Sequence, residues 1–154
     1  MRKLIIIALL ATVLQSCDSG KVYQEVHDFK DTEWAFTDVQ RFNVTVEDTL
    51  NPHLLLVNVR NTSAYPYSNL WLFVTRIAPG GLAHTDTIEC PLAAADGRWL
   101  GTVSGNLIDN LILFNKDFRF KDPGTYTFKI QHGMRSDTLT EIAGIGLRVQ
   151  KGYQ

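Results

Sequence analysis

"RFNVTVE", residues 41 to 47, alternates without a break: Phe42, Val44 and Val46 fall on one side, Arg41, Asn43, Thr45 and Glu47 on the other. A helix would scatter these apolar positions around its axis, whereas a pleated strand sends successive side chains to opposite faces. The stretch therefore reads as a strand with one face in a core and one in water. "TYTFKIQ", residues 125 to 131, repeats the pattern with Tyr126, Phe128 and Ile130, and "IGLRVQ", residues 145 to 150, repeats it with Ile145, Leu147 and Val149. Half-buried strands of this kind belong to antiparallel sheets.

Working outward, "LLLVNV" from Leu54 and "LWLFV" from Leu70 are more uniformly apolar and predict central strands covered on both faces. Pro79-Gly80-Gly81 supplies a hairpin turn, and Asp122-Pro123-Gly124 a turn before the "TYTFKIQ" strand. "NLIDNLILF", residues 106 to 114, fits a strand or a single helical turn. Eight or nine strands with turns at intervals of roughly a dozen residues predict an all-β fold, an antiparallel β-sandwich of jelly-roll or Ig-like type.

The N-terminus follows different rules. Arg2 and Lys3 precede an apolar run from Leu4 to Leu14, about half the roughly 20 residues a spanning helix needs. The run reads as the apolar centre of a secretion signal. Leu14-Gln15-Ser16-Cys17 then matches the lipobox of bacterial lipoproteins, in which the peptidase cuts before a lipid-bearing cysteine. Three parts are expected: a cleaved lipoprotein signal peptide over 1–16, the lipidated Cys17 with a short tether over 17–22, and a single β-sandwich domain over 23–154. A di- or triacylated cysteine is a stable anchor, because stable attachment takes about two chains.

Cleavage removes two basic residues and no acidic one, leaving 13 Lys+Arg against 16 Asp+Glu and a formal charge of −3. No basic stripe invites nucleic acid. With Cys17 taken by lipid, Cys90 has no intrachain partner, and "TIECPL" sets it beside Ile88 and Leu92 as a small core hydrophobe.

Catalytic signatures are missing. His27, His53, His84 and His132 are scattered without metal-ligand spacing and read as surface or rim residues. In "GTVSG", residues 101 to 105, the serine stands one place too late for a nucleophile elbow. Asp28, Asp31, Glu33 and Asp38 read as a solvated face. No catalytic residue, metal site or cofactor is assigned. "DGRWLG", residues 96 to 101, suits a tight turn into a strand, with Trp99 mostly buried. The most distinctive stretch is "RNTSAYPYSNLWLFV", residues 60 to 74, whose loop carries Tyr65, Pro66, Tyr67 and Asn69. These four form the candidate binding loop, with the tyrosines either a stacking platform or a packed corner that closes the sandwich.

"RN…YPYSNLWLFV", "DTIECPLAAADGRWLG" and "YTFKIQHGMRSDTLTEIAGIGLRVQK" together resemble the GldH family of gliding-motility lipoproteins, in order and over nearly the whole chain. The resemblance rests on the lipobox at Cys17, Tyr65 to Phe73, Asp96 to Gly101, and Gly146 to Val149. It implies a lipoprotein of the cell envelope, and together with the missing catalytic signatures the leading expectation is a non-enzymatic protein, lipid-anchored at the periplasmic face of the outer or inner membrane. Its implied partners are other envelope proteins of the gliding-motility and type IX secretion machinery, with no nucleic acid. The alternative is a carbohydrate- or peptidoglycan-binding module on the same sandwich.

Overall fold

The strand expected at residues 41–47 spans Gln40–Val46 in the computed structural model, which describes residues 20–152, and it buries Phe42, Val44 and Val46. The signal peptide 1–16 and Cys17 lie outside the described residues. Among the described residues eleven strands follow one another: β1 (Lys21–Asp28), β2 (Glu33–Ala35), β3 (Gln40–Val46), β4 (His53–Thr62), β5 (Asn69–Ile77), β6 (Ala83–Pro91), β7 (Thr102–Ser104), β8 (Leu107–Phe118), β9 (Gly124–His132), β10 (Thr138–Thr140) and β11 (Ile142–Lys151). The strands beyond the expected eight or nine are accounted for by β2, β7 and β10, each three residues long and too short for an alternation to show. Of residues 106–114, all but the turn residue Asn106 resolve as strand, within β8. The expected tether is shortened, since Lys21 and Val22 already belong to β1.

A five-stranded sheet in the order β1-β11-β4-β8-β7 packs against a four-stranded sheet in the order β3-β9-β5-β6, and β10-β2 form a small ribbon. Every pairing is antiparallel. The fold is an antiparallel β-sandwich. Between the sheets lie Phe42, Val44, Leu55, Val57, Leu70, Leu72, Phe128, Ile130, Ile145 and Leu147, all essentially without exposure.

The two apolar segments behave differently. β4 is covered on both faces near its middle, where Leu55, Leu56 and Val57 are buried in succession. β5 is central in its sheet but covered on one face only. Its outward Trp71 is 39 % exposed and Phe73 half-buried, so the expectation of two covered faces fails there. An all-apolar run conceals the period of two that would have shown it.

Two histidines also depart from expectation. His53 and His132 are fully buried rather than at the rim. His53 stands edge-on to Phe120 at 5.0 Å, and His132 edge-on to Trp34 at 5.2 Å and to Phe36 at 5.6 Å, each filling an aromatic niche. His132 simply continues the inward alternation of Tyr126, Phe128 and Ile130.

The topology gives the sandwich two ends. At one, the Lys151 N–H donates to Gly20 O and the Gly152 N–H to Pro52 O, both at 2.8 Å, so the first described residue lies beside the β3–β4 loop. The β5–β6 turn reaches the same end, closed by Gly81 N–H to Ala78 O at 2.8 Å with Gly81 at φ +85°. At the opposite end stand the β4–β5 loop, the β7–β8 turn and the chain between β9 and β10.

Candidate functional site

Thr62 closes β4 by binding Glu141 twice. Its N–H donates to Glu141 O at 2.9 Å and its hydroxyl to the Glu141 carboxylate, while accepting the Ala64 N–H at 3.1 Å. The chain turns there, with Tyr65 N–H on Thr62 O at 3.2 Å. This turn drives Tyr65 into the core, where it is 4 % exposed, and its hydroxyl donates to Asn69 O at 3.2 Å. Burial pushes its pKa above the usual phenol range. Tyr65 is the corner of the sandwich.

Tyr67, two residues on, sits edge-on to Tyr65 at 5.5 Å and 72° but is itself 44 % exposed. Pro66 beside it is exposed. Asn69 is half-buried, its amide donating to a Glu89 carboxylate oxygen at 2.6 Å. The four loop residues thus divide: Tyr65 faces in, Pro66 and Tyr67 face out, and Asn69 ties the loop to β6.

The outward members border a shallow groove of about 350 Å³, with Tyr67 and Trp71 on one side and Gly133, Met134 and Arg135 on the other. Gly133 N–H donates to Trp71 O at 2.6 Å, extending the β9 edge past its last residue. A Cβ on Gly133 would sit 3.2 Å from the Phe73 ring, so the glycine lets the chain lie against that ring. Met134 Sδ faces the Trp71 N–H at 3.4 Å. Chemically the groove offers two aromatic surfaces, a polarisable thioether and a guanidinium, a set suited to stacking and apolar contact. Nothing in the sequence pattern marks Trp71, Met134 or Arg135 as site residues. Trp71 is hidden in an apolar run, and the other two lie in a stretch with no periodicity.

The remaining candidates do not converge. Asp28 pairs with Arg60 at 2.9 Å, and Arg60 also donates to Asp109 at 3.0 Å. Ser104 ends the short β7 and precedes a strand-to-strand turn with Gly105 at φ +64°. Trp99, bridged to Ala93 and packed against the core, keeps only intermediate exposure, in line with the expectation of a mostly buried ring. Cys90 is fully buried, and burial pushes its thiol up to about 12. Among the described residues, no group of three or more His, Cys, Asp or Glu is arranged to hold a metal ion.

Fold and site define an antiparallel β-sandwich carrying an aromatic groove at the end remote from residue 20. The sequence pattern of the GldH lipoprotein family matches residues 21–149, and the chain belongs to that family. It is 30% identical over 146 residues to the gliding motility lipoprotein GldH homolog of Christiangramia forsetii, covering 90% of this chain and 89% of that one. It is 29% identical over 153 residues to the gliding motility lipoprotein GldH of Flavobacterium johnsoniae, covering 95% and 94%. Membership makes it a membrane-anchored lipoprotein of the cell envelope. Among solved structures, the infectious bursal disease virus Gt strain gives a TM-score of 0.37 at 16% identity, over 89% of this chain and 38% of that one. The VP2 subviral particle of the same virus gives 0.36 at 15% identity, over 84% and 33%.

Proposed function

We propose that this lipoprotein is a non-enzymatic contact module of the gliding-motility and type IX secretion machinery, held to its membrane through Cys17. The observation that carries the reading is the position of the groove. Tyr67, Trp71, Met134 and Arg135 stand at the end opposite Gly20, where an anchored domain presents itself to other envelope proteins. Loops on a rigid sandwich commonly carry recognition, and aromatic, methionine and arginine side chains are those enriched at protein interfaces. The test deletes the gene in a gliding, secreting host and complements it with wild type or with Cys17→Ser. Loss of motility and secretion on deletion, restored by wild type and not by Cys17→Ser, is expected. Intact motility and secretion in the deletion strain would overturn the reading.

A second reading is favoured by the same exposed Tyr67 and Trp71, since aromatic surfaces also stack on sugars. Quenching or enhancement of Trp71 fluorescence by peptidoglycan fragments, abolished by Trp71→Ala, would move the protein to that class.

A further inference from the structure

The two most exposed large hydrophobic side chains among the described residues are Leu50, 82 % exposed, and Leu82, 75 % exposed. They are far apart in sequence, at the tips of the β3–β4 and β5–β6 loops, and yet share one end of the sandwich. Arg119 joins them: its guanidinium donates to Leu50 O at 2.6 Å and lines, with Leu82, a cleft of about 300 Å³ between the two sheets. That is also the end where Gly20 accepts the Lys151 N–H.

We infer that this end docks on the phospholipid surface that holds the anchor, with Leu50 and Leu82 entering the headgroup region and the cations around them meeting lipid phosphates. The inference rests on the proposed lipidation of Cys17. Only three residue steps separate Cys17 from Gly20, so the Gly20 end stands within about 11 Å of the anchored cysteine. An end held at that distance lies near the lipid phosphates, within about one and a half screening lengths at physiological salt. Two leucines at loop tips would be poor surface design for an end facing water, and are the expected chemistry for one facing a bilayer.

The polar groups are consistent with this orientation. Arg76 stacks on Phe118 at 4.4 Å, and Arg119 and Lys121 line the same cleft. Lys21 and Lys121 are exposed and have no carboxylate partner among the described residues. The acidic groups at this end are mostly engaged. Asp86 faces Arg76 at 3.6 Å and His84 at 3.0 Å, Asp117 faces Arg119 at 3.9 Å, and Asp48 faces Lys151 at 3.9 Å while accepting the Leu50 and Asn51 N–H groups. Glu47 and Asp122 are exposed carboxylates here, so the leucines rather than net charge carry the docking.

The experiment places the photocrosslinking residue benzoylphenylalanine at position 50, 82 or 104 of the mature lipoprotein, reconstituted in phosphatidylethanolamine–phosphatidylglycerol vesicles. Position 104 lies at the far end. Lipid crosslinking roughly tenfold greater at 50 and 82 than at 104 is expected, and Leu50→Asp should lower the yield at position 82 several-fold. Equal yields at the three positions, or the greatest at 104, overturn the inference. In a parallel arm the mature chain is joined through Cys17 to a maleimide-bearing lipid. If mass analysis finds no native lipid, the proposed anchoring fails, and this arm still decides docking by the same ratio.

Discussion

His132 meets Trp34 edge-on, with ring centroids 5.2 Å apart at an angle of 75° and both side chains fully buried. No hydrogen-bond partner at good geometry reaches either imidazole nitrogen, and the same holds for His53. Burial lowers the pKa of both rings below the usual histidine range, offset in part by the Trp34 backbone for His132 and by Asp48 for His53. A base with a depressed folded-state pKa stays neutral when folded but takes a proton when unfolded. Stability is therefore full above about pH 6.5 and falls as the pH drops below it, by at most about 1.4 kcal/mol per pH unit for each histidine. Urea unfolding at pH 7.5, 6 and 5 should show the decline, and His132→Phe should remove part of it. A flat profile between pH 7 and 5 would refute this.

Gly146 is the residue that lets β1 lie on β11. It pairs with Val26, and a Cβ there would stand 2.6 Å from Glu25 O and 2.8 Å from the Val26 side chain. Gly146→Ala should therefore push β1 outward and cost about 1–3 kcal/mol, the usual range for overpacking. The urea midpoint measures the cost, and amide exchange should accelerate in Lys21–Asp28 before it does in β4. An unchanged midpoint would mean that β1 shifts freely.

Cys90 offers a probe of the same core. Its thiol is buried beneath β6 and held protonated near pH 8, so it lacks the thiolate that alkylating reagents attack. Iodoacetamide should leave the folded chain unmodified at Cys90 and react fully in urea. Rapid labelling without denaturant would contradict the burial.

The alternating segments could be read because each strand faces core on one side and water on the other: Phe42, Val44, Tyr126, Phe128 and Ile130 are buried where the period places them. Trp71 could not be separated from Leu70 and Leu72, because hydrophobicity is uniform along a run whose two faces meet different surroundings. Trp34 sits among Glu33, Asp31 and Asp38, and its burial follows from the β2–β10 ribbon, a long-range pairing with no local pattern. Composition locates the candidate loop but does not say which tyrosine turns inward. That depends on Thr62 binding Glu141, 79 residues away in sequence.

The two tyrosines of that loop can now be separated by experiment. Tyr65 fills the corner and donates to Asn69 O, so Tyr65→Phe removes one hydrogen bond and should cost about 1 kcal/mol. Tyr65→Ala empties an aromatic site and should cost about 3–5 kcal/mol. Tyr67 is 44 % exposed and bounds the groove, so Tyr67→Ala should change stability by no more than about 0.5 kcal/mol. Complementation of the deletion strain then distinguishes folding from contact. Under the contact reading, Tyr65→Phe restores motility and secretion, whereas Tyr67→Ala combined with Trp71→Ala does not, although the variant folds and fractionates with membranes. If that double variant rescues as well as wild type, the groove is not the contact surface, and the partner must be sought on another face of the sandwich.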